Sequence, residues 1–215
     1  MEAFGRVDIL VNNAGILRDA SFRKMTPENW DALYAVHSKG AFAVTRAAWP
    51  HMERRGYGRV VNVTSSSGLY GAFGQANYAA MKAAVLGFTL TLALEGRKRG
   101  ILANAIAPSA ASRMMETVRS SEELERLPKQ TVANTVAYLC HEACTCTGGV
   151  FELGGHWVAR LGWRRSRGVR FPQGFTAEDV AAKFQELSDF GEGVEYPEGW
   201  ESGEAHSMAP PLARL

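Results

Sequence analysis

The chain has 215 residues, 24 Lys and Arg against 22 Asp and Glu, and 46% hydrophobic residues, enough to bury a full core, which excludes a disordered tail protein, a collagen or a disulfide-stapled miniprotein. A formal net charge of +2, with no Lys/Arg run followed by interleaved aromatics, excludes a nucleic-acid footprint. Cys140, Cys144 and Cys146 sit too close together to staple distant segments, and no apolar run approaches the roughly 20 residues of a membrane helix, so a soluble chain of a reducing, intracellular compartment is expected.

Residues 7–11, closed by Asn12-Asn13-Ala14-Gly15, read as a buried parallel strand. Thr26-Pro27-Glu28 opens a helix: Thr26 caps it, Pro27 suits the first helical position, and Trp30, Leu33, Tyr34 and His37 follow at helical spacing. A second helical stretch covers about residues 42–52, and Pro50 should kink or end it. Residues 59–64 are the next strand, 76–94 the longest helix signal, and 101–107 a third strand stopped by Pro108. A helix over 131–140 and a short strand over 150–153, before Gly154-Gly155, complete the pattern. Strands alternating with helices predict an α/β fold built on a parallel sheet. Beyond Trp157 come Arg160, Arg164, Arg165, Arg167 and Arg170, then a helix over 176–187 and a Gly/Glu/Pro-rich end. The expected organisation is a domain over 1–156, a helical extension over 157–190 and a disordered tail over 191–215.

Chemistry enters with Tyr78-Ala79-Ala80-Met81-Lys82, with Ser65 thirteen residues earlier at the end of a predicted strand. Positions i and i+4 share a helix face, so a phenol and an ammonium can point into one cleft at the carboxyl edge of the sheet. A free phenol titrates near 10, and a neighbouring cation should draw it toward neutral pH, where it can exchange a proton with an alcohol or a carbonyl. Ser65 would hold the substrate oxygen. Tyr and Lys four apart are common on solvated helices, so the pair gains meaning from its context. Ser65, Tyr78 and Lys82, with Asn12-Asn13-Ala14-Gly15 upstream and Asn104-Ala105-Ile106-Ala107-Pro108 downstream, resemble the short-chain dehydrogenase/reductase family in order and spacing. Within it, Asn12-Asn13-Ala14-Gly15-Ile16-Leu17-Arg18-Asp19, Val44-Thr45-Arg46-Ala47-Ala48-Trp49, Tyr70-Gly71-Ala72-Phe73-Gly74-Gln75-Ala76-Asn77-Tyr78 and Leu139-Cys140-His141-Glu142 are similar to the dehydrogenase domains of peroxisomal multifunctional enzymes, over about residues 3–190.

That resemblance implies a Rossmann-like parallel sheet with helices on both faces and NAD as the cofactor. It makes Tyr78 the catalytic acid/base, Ser65 the substrate-positioning residue, and Lys82 a ligand of the nicotinamide ribose as well. Asn13, Ala14 and Gly15 would lie along the cofactor, and Ala110, Ala111, Ser112 and Arg113 against its nicotinamide end. The implied reaction oxidises (3R)-3-hydroxyacyl-CoA to 3-ketoacyl-CoA in peroxisomal fatty acid β-oxidation, with an acyl-CoA or steroid-like small molecule as substrate. The family also carries a Gly-rich first βαβ unit ahead of the residue matching Ala3, and no G-x-G-x-x-G precedes a strand here. The expected sheet is therefore N-terminally truncated, with an apolar strand left unpaired at one edge and a weakened hold on dinucleotide. The helices near residues 42–54 and 76–95 would pair two copies in a homodimer, or this chain with a full-length subunit. Two other readings stay open: a catalytically silent dimerisation or regulatory partner, and a short-chain reductase of another carbonyl.

The remaining signals have plainer readings. Cys140-His141, Cys144 and Cys146 form one C-x-x-x-C-x-C stretch without the second pair that a closed zinc site needs, so no metal is expected. The arginines from Arg160 to Arg170 could guide the phosphates of an acyl-CoA, but a solvated basic extension explains them more simply. Trp30, Phe42, Trp49, Phe88 and Leu92 read as core or dimer surface. His37 stands where many relatives carry Asn, and reads as core or surface. Pro108-Ser109 replaces the usual Pro-Gly, which narrows the backbone options beside a nicotinamide. The terminal Ala213-Arg214-Leu215 resembles the small–basic–leucine peroxisomal address, giving a peroxisomal expectation and otherwise a cytoplasmic one.

Overall fold

In the computed structural model, which describes residues 1–111, 120–197, 199 and 201–211, the alternating strands and helices assemble on one sheet. β1 (Ile9–Asn12), β2 (Gly58–Val63), β3 (Ile101–Ser109) and β4 (Val150–Gly154) lie side by side in that order and run parallel. β5 (Trp157–Leu161) is added antiparallel to β4. Every residue of β2 is buried, Arg59 and Asn62 among them, as befits a central parallel strand covered on both faces.

The two-residue period of the strands divides the core. Val60, Ile101 and Ala103 pack with Met52 of α2 (Gly40–Arg55) and with Leu92 and Ala93 of α4 (Ala76–Gly96). Val61, Val63 and Ile106 pack instead with Leu139 and Cys140 of α6 (Lys129–Cys140), the helix that follows the short α5 (Ser121–Glu125). Helices therefore cover both faces, and each fully buried Val, Leu or Ile contributes about 1.5–3 kcal/mol. Buried and half-buried amides fix the register between layers. Asn12 Nδ2 donates to Thr45 Oγ1 and Asn62 Oδ1, and Asn62 Nδ2 donates to Thr89 Oγ1. Asn104 donates to the Cys146 carbonyl and accepts from Gly149 N–H.

Helix α1 (Pro27–Leu33) begins as its sequence dictates, with Thr26 Oγ1 accepting from Asn29 N–H and Pro27 in the first turn. A π-helical turn, Tyr34–Lys39, then joins it to α2. Pro50 does not end α2, which continues to Arg55. One intrahelical bond is lost there, but burial of Met52 just beyond, packed with Val60 and Leu92, outweighs it. Pro108 does not stop β3 either. Ala105 N–H donates toward β4 and the Ile106 carbonyl accepts on the β2 side from Thr64, so alternation turns the position of the missing Pro108 donor toward β2, whose ladder ends at Val63. Among the described residues one helix, Ala76–Arg99, is long and apolar enough to cross a membrane, contrary to the sequence expectation. It packs along β3 and β2 with Asn77, Lys82 and Thr89 buried.

The first unit spans Met1–Leu161 and the second Gly162–Leu215. Residues 157–161, expected to begin a helical extension, form β5, because Gly155 at φ +58 lets the chain turn back beside β4. The second unit holds α7 (Ala177–Leu187), opened by a capping box between Thr176 and Asp179. It also holds α8 (Glu201–Met208), inside the stretch expected to be disordered. Arg170 donates to the carbonyls of His206, Ala209 and Pro210 around the end of α8, where a cation complements unpaired helix carbonyls.

Candidate active site

β2 delivers the chain to Thr64 and Ser65, and Ser65 then caps a short helix, α3 (Ser66–Tyr70), by accepting from Ser67 N–H at 3.2 Å. Thr64 Oγ1 donates to the Lys82 carbonyl at 2.7 Å, which locks the end of β2 to α4. α3 lies so close to α4 that a Cβ on Gly68 would stand 2.6 Å from Lys82 Cβ; only glycine permits that approach. The start of α4 is fixed by fully buried Asn77, whose Nδ2 donates to the Arg18 carbonyl and whose Oδ1 accepts from Tyr78 N–H. One turn on, Lys82 Nζ donates to the Val63 carbonyl at 2.7 Å and lies 5.5 Å from the centre of the Tyr78 ring. Ser65, Tyr78 and Lys82 thus converge beyond the carboxyl end of β2.

Electrostatics modify the expected chemistry. Lys82 is 4% exposed, and burial lowers its pKa from 10.5 to about 8. Tyr78 was expected to be drawn down by that cation. Its pKa is raised instead, chiefly by burial and further by the charge of Asp19, while the Ser65 hydroxyl facing it acts in the opposite sense. The ammonium lies beneath the ring with one of its donors on the Val63 carbonyl, and burial of the phenol prevails over it.

Beside this cluster opens a cleft of about 200 Å³, lined among others by Asn13, Ala14, His37, Gly40, Val63 and Lys82. Asn13 and Ala14, proposed from the sequence as cofactor contacts, therefore share a surface with Lys82. Gly15 lies alongside, where an added Cβ would meet His37 Cε1 at 2.8 Å. His37 itself was passed over in the sequence. It is 3% exposed, stands edge-on to Tyr78 with ring centres 5.3 Å apart, and meets the Ile16 backbone through Nε2. Its Nδ1 is buried without a hydrogen-bond partner among the described residues, and burial, with the charge of Lys82 adding, holds its pKa down so that the ring is neutral at pH 7. The sequence left His37, at a position where many relatives carry Asn, as core or surface; the π-turn that sets it against Tyr78 leaves no sequence signal.

Ala110 and Ala111 follow β3, with Ala111 N–H donating to the Leu127 carbonyl, and they are not among the residues lining the cleft. Ser112 and Arg113 lie outside the described residues, as do Ala213, Arg214 and Leu215. Ser109 fits where glycine was expected because its partner in register is Gly154, on which a Cβ would meet Ser109 Cβ at 2.9 Å. Cys140 and Cys144 join the core beneath α6, and among the described residues no group of three or more His, Cys, Asp or Glu is placed to hold a metal.

A nicotinamide dinucleotide suits the cleft on one observation in particular. Lys82 has three N–H bonds, and among the described residues Val63 takes one, which leaves a buried ammonium with two donors on the cleft wall for sugar hydroxyls. Comparison with known proteins accords with this. The chain is 48% identical over 193 residues to peroxisomal multifunctional enzyme type 2 of Mus musculus, covering 88% of this chain and 26% of that protein. It is 40% identical over 163 residues to acetoacetyl-CoA reductase of Shinella zoogloeoides, covering 70% of this chain and 68% of that one. The solved structure of full-length peroxisomal multifunctional enzyme type 2 from Drosophila melanogaster superimposes with a TM-score of 0.83 at 34% identity, over 92% of this chain and 36% of that one. The chain thus spans about a quarter of the length of the mouse protein. The sequence profile of the short chain dehydrogenases matches residues 1–124, which include Ser65, Tyr78 and Lys82 and make up more than half of the length, so the chain belongs to the short-chain dehydrogenase family.

Proposed function

We propose that the chain interconverts a (3R)-3-hydroxyacyl-CoA and the corresponding 3-ketoacyl-CoA with NAD, in the peroxisome, with Ser65, Tyr78 and Lys82 as its catalytic residues. The observation that carries the reading is the convergence of a serine, a phenol and a buried ammonium beside one cleft. Bound nicotinamide supplies or accepts the hydride. Ser65, whose Oγ accepts from Ser67 N–H, keeps its own proton to hold the substrate oxygen. Tyr78 gives its proton to that oxygen in reduction and receives it back in oxidation. Lys82 offers its two remaining donors to the ribose, and neutral His37 packs against the phenol ring and shields it from water. Asn13, Ala14 and Gly15 extend the cofactor surface.

Substrate class follows from the relatives' names. One relative is named for reducing acetoacetyl-CoA, a 3-ketoacyl thioester, and another is a peroxisomal multifunctional enzyme; reduction of the first kind is the reverse of hydroxyacyl oxidation. Exposed Phe42 and Val44 on α2 and Leu94 on α4 support pairing of two copies through these helices. A second reading, a catalytically silent partner of a full-length subunit, is favoured by the edge strand β1, where Ile9 and Val11 remain 50% and 39% exposed beside the cleft.

Titration of the full chain with NADH, followed by assay of 3-hydroxyacyl-CoA oxidation through the absorbance of the reduced nicotinamide, separates the two. Turnover that disappears in Tyr78→Phe supports the dehydrogenase. Turnover retained in that variant overturns the mechanism, and a folded chain that binds no cofactor yet pairs with a full-length relative supports the silent partner.

A further inference from the structure

The loop after β1 is fastened to the loop before α4 and to the first turn of α4 at three points in all. Ala20 N–H donates to the Gly74 carbonyl at 2.9 Å, Asn77 Nδ2 to the Arg18 carbonyl at 3.0 Å, and Gln75 Nε2 to Asp19 Oδ2 at 2.9 Å. Gln75 then accepts from Ser67 Oγ at 2.7 Å through Oε1, and Ser67 N–H donates to Ser65 Oγ at 3.2 Å. Both ends of the Gln75 amide are engaged, so its orientation is fixed, and with it the side chain of Ser67. A carboxylate on one loop is linked in this way, through the Gln75 side chain and then the side chain and backbone N–H of Ser67, to the serine that faces Tyr78.

We propose that Asp19 is a positioning residue for the reaction: through Gln75 and Ser67 it sets the turn that aims the Ser65 hydroxyl at Tyr78 and at the substrate oxygen. The inference rests on the assignment of Ser65 and Tyr78 as the oxygen-holding and proton-transferring pair. A hydrogen bond from a neutral amide to a carboxylate is stronger than one between neutral groups, which makes Asp19 the anchor of the chain. Asp19 also acts on Tyr78 directly through its charge. The groups facing the phenol are Asp19 from the loop after β1, His37 from the π-turn, Lys82 from α4 and the Ser65 hydroxyl from the start of α3, and of these Ser65 and Asp19 are joined by the chain.

Titration of the phenol provides a test that does not depend on turnover. The Tyr78 titration is read as the ultraviolet difference between a given protein and the same protein carrying Tyr78→Phe. Gln75→Leu breaks the chain without changing any charge. It is expected to raise the Tyr78 midpoint by about half a pH unit to one unit, as Ser65→Ala does, and to add nothing when combined with Ser65→Ala. A midpoint unmoved by Gln75→Leu, or a shift that adds fully to that of Ser65→Ala, overturns the proposal. Asp19→Asn keeps an acceptor for Gln75 but removes the charge, so its midpoint falls.

In turnover, Asp19→Ala and Gln75→Leu are each expected to lower kcat about ten- to hundredfold with KM for the hydroxyacyl-CoA within about twofold, and Asp19→Asn to recover most of that loss. Equal damage by Asp19→Asn and Asp19→Ala would remove Asp19 as the anchor of the chain. An inactive parent chain would count against the assigned reaction, while the phenol titration would still decide whether the chain of bonds positions Ser65.

Discussion

Replacing Lys82 with Met removes a buried ammonium while keeping an unbranched stem of similar length. Burial that lowers the Lys82 pKa from 10.5 to about 8 means that the folded state holds this charge, at neutral pH, about 3 kcal/mol less favourably than the unfolded chain does, at 1.36 kcal/mol per pKa unit. The substitution also strips the Val63 carbonyl of its donor, which costs about 1 kcal/mol. Lys82→Met should therefore be more stable than the parent by about 2 kcal/mol. The pH dependence has a definite sign. Between pH 8 and 10.5 the unfolded chain still binds the proton that the folded chain has lost, so parent stability rises with pH across that window. The Met variant lacks this rise. Its advantage is constant below pH 8 and closes from 8 toward 10.5. Urea unfolding of both proteins at neutral pH and at steps through the window measures the gap, and turnover of the variant should be lost. A Met variant less stable than the parent at neutral pH, or a gap that stays level above pH 8, would refute the view of Lys82 as a charge held against its own solvation for the sake of the site.

The raised pKa of Tyr78 keeps the phenol protonated through neutral pH, so the velocity of carbonyl reduction should stay level there, whereas oxidation, which needs the phenolate, should climb with pH toward and beyond 10; pH–rate profiles in both directions test this, and an oxidation rate that falls on going alkaline contradicts it. Because Lys82 loses its proton near 8, the KM for the dinucleotide should rise above that pH, as read by initial velocities at fixed substrate. Tyr78→Phe should lower kcat by about 10²–10⁴-fold with the unfolding midpoint essentially kept, checked by paired kinetics and urea melts. Gly68→Ala places a Cβ 2.6 Å from Lys82 Cβ and 2.8 Å from its backbone, so α3 must shift. A stability loss of about 1–3 kcal/mol and a fall in kcat are expected together, and an unaffected kcat would detach Ser65 placement from the α3–α4 contact.

The sequence disclosed those parts of the fold whose causes are local. Thr26 and Pro27 announce α1 because capping is settled within one turn, and residues 59–64 announce a strand through Val60, Val61 and Val63, whereas residues 7–11, expected as a buried strand, form the edge strand β1 with Ile9 50% and Val11 39% exposed. The parts it concealed depend on neighbours distant along the chain. Pro108 is tolerated in β3 only because β2 has already ended on the side its missing donor faces. Residues 157–161 are a strand because β4 offers them an edge. At the site, the spacing of Tyr78 and Lys82 placed both on one helix face, but the sign of the effect on the phenol was not legible. It turns on how deeply packing buries the phenol, with the charge of Asp19 adding, against the opposing Ser65 hydroxyl, none of which helix spacing reveals. His37 was hidden for a related reason, since an apolar helical period and a π-turn that redirects it look alike in sequence.

The distribution of unmet polar groups separates structure from chemistry in this fold. Among the described residues only two buried side-chain atoms lack a hydrogen-bond partner, His37 Nδ1 and Arg59 Nε, and each such group costs roughly 1–3 kcal/mol. Arg59 is compensated within the core: its guanidinium lies 4.3 Å from the centre of the Tyr57 ring and donates to the Gly58 carbonyl. His37 has no such stack on a cation, and it lines the same cleft as Lys82, whose ammonium is also only partly satisfied. The amides nearby, half-buried Asn12 and buried Asn62, Asn77 and Asn104, are all engaged within the protein. A fold that satisfies these amides and leaves the Lys82 ammonium incompletely bonded, in a residue that lines one small cleft, has placed an unfavourable charge where a polar ligand can offset it. On that argument, dinucleotide binding should stabilise the chain beyond what apolar burial in so small a cleft supplies, and the surplus should shrink in Lys82→Met.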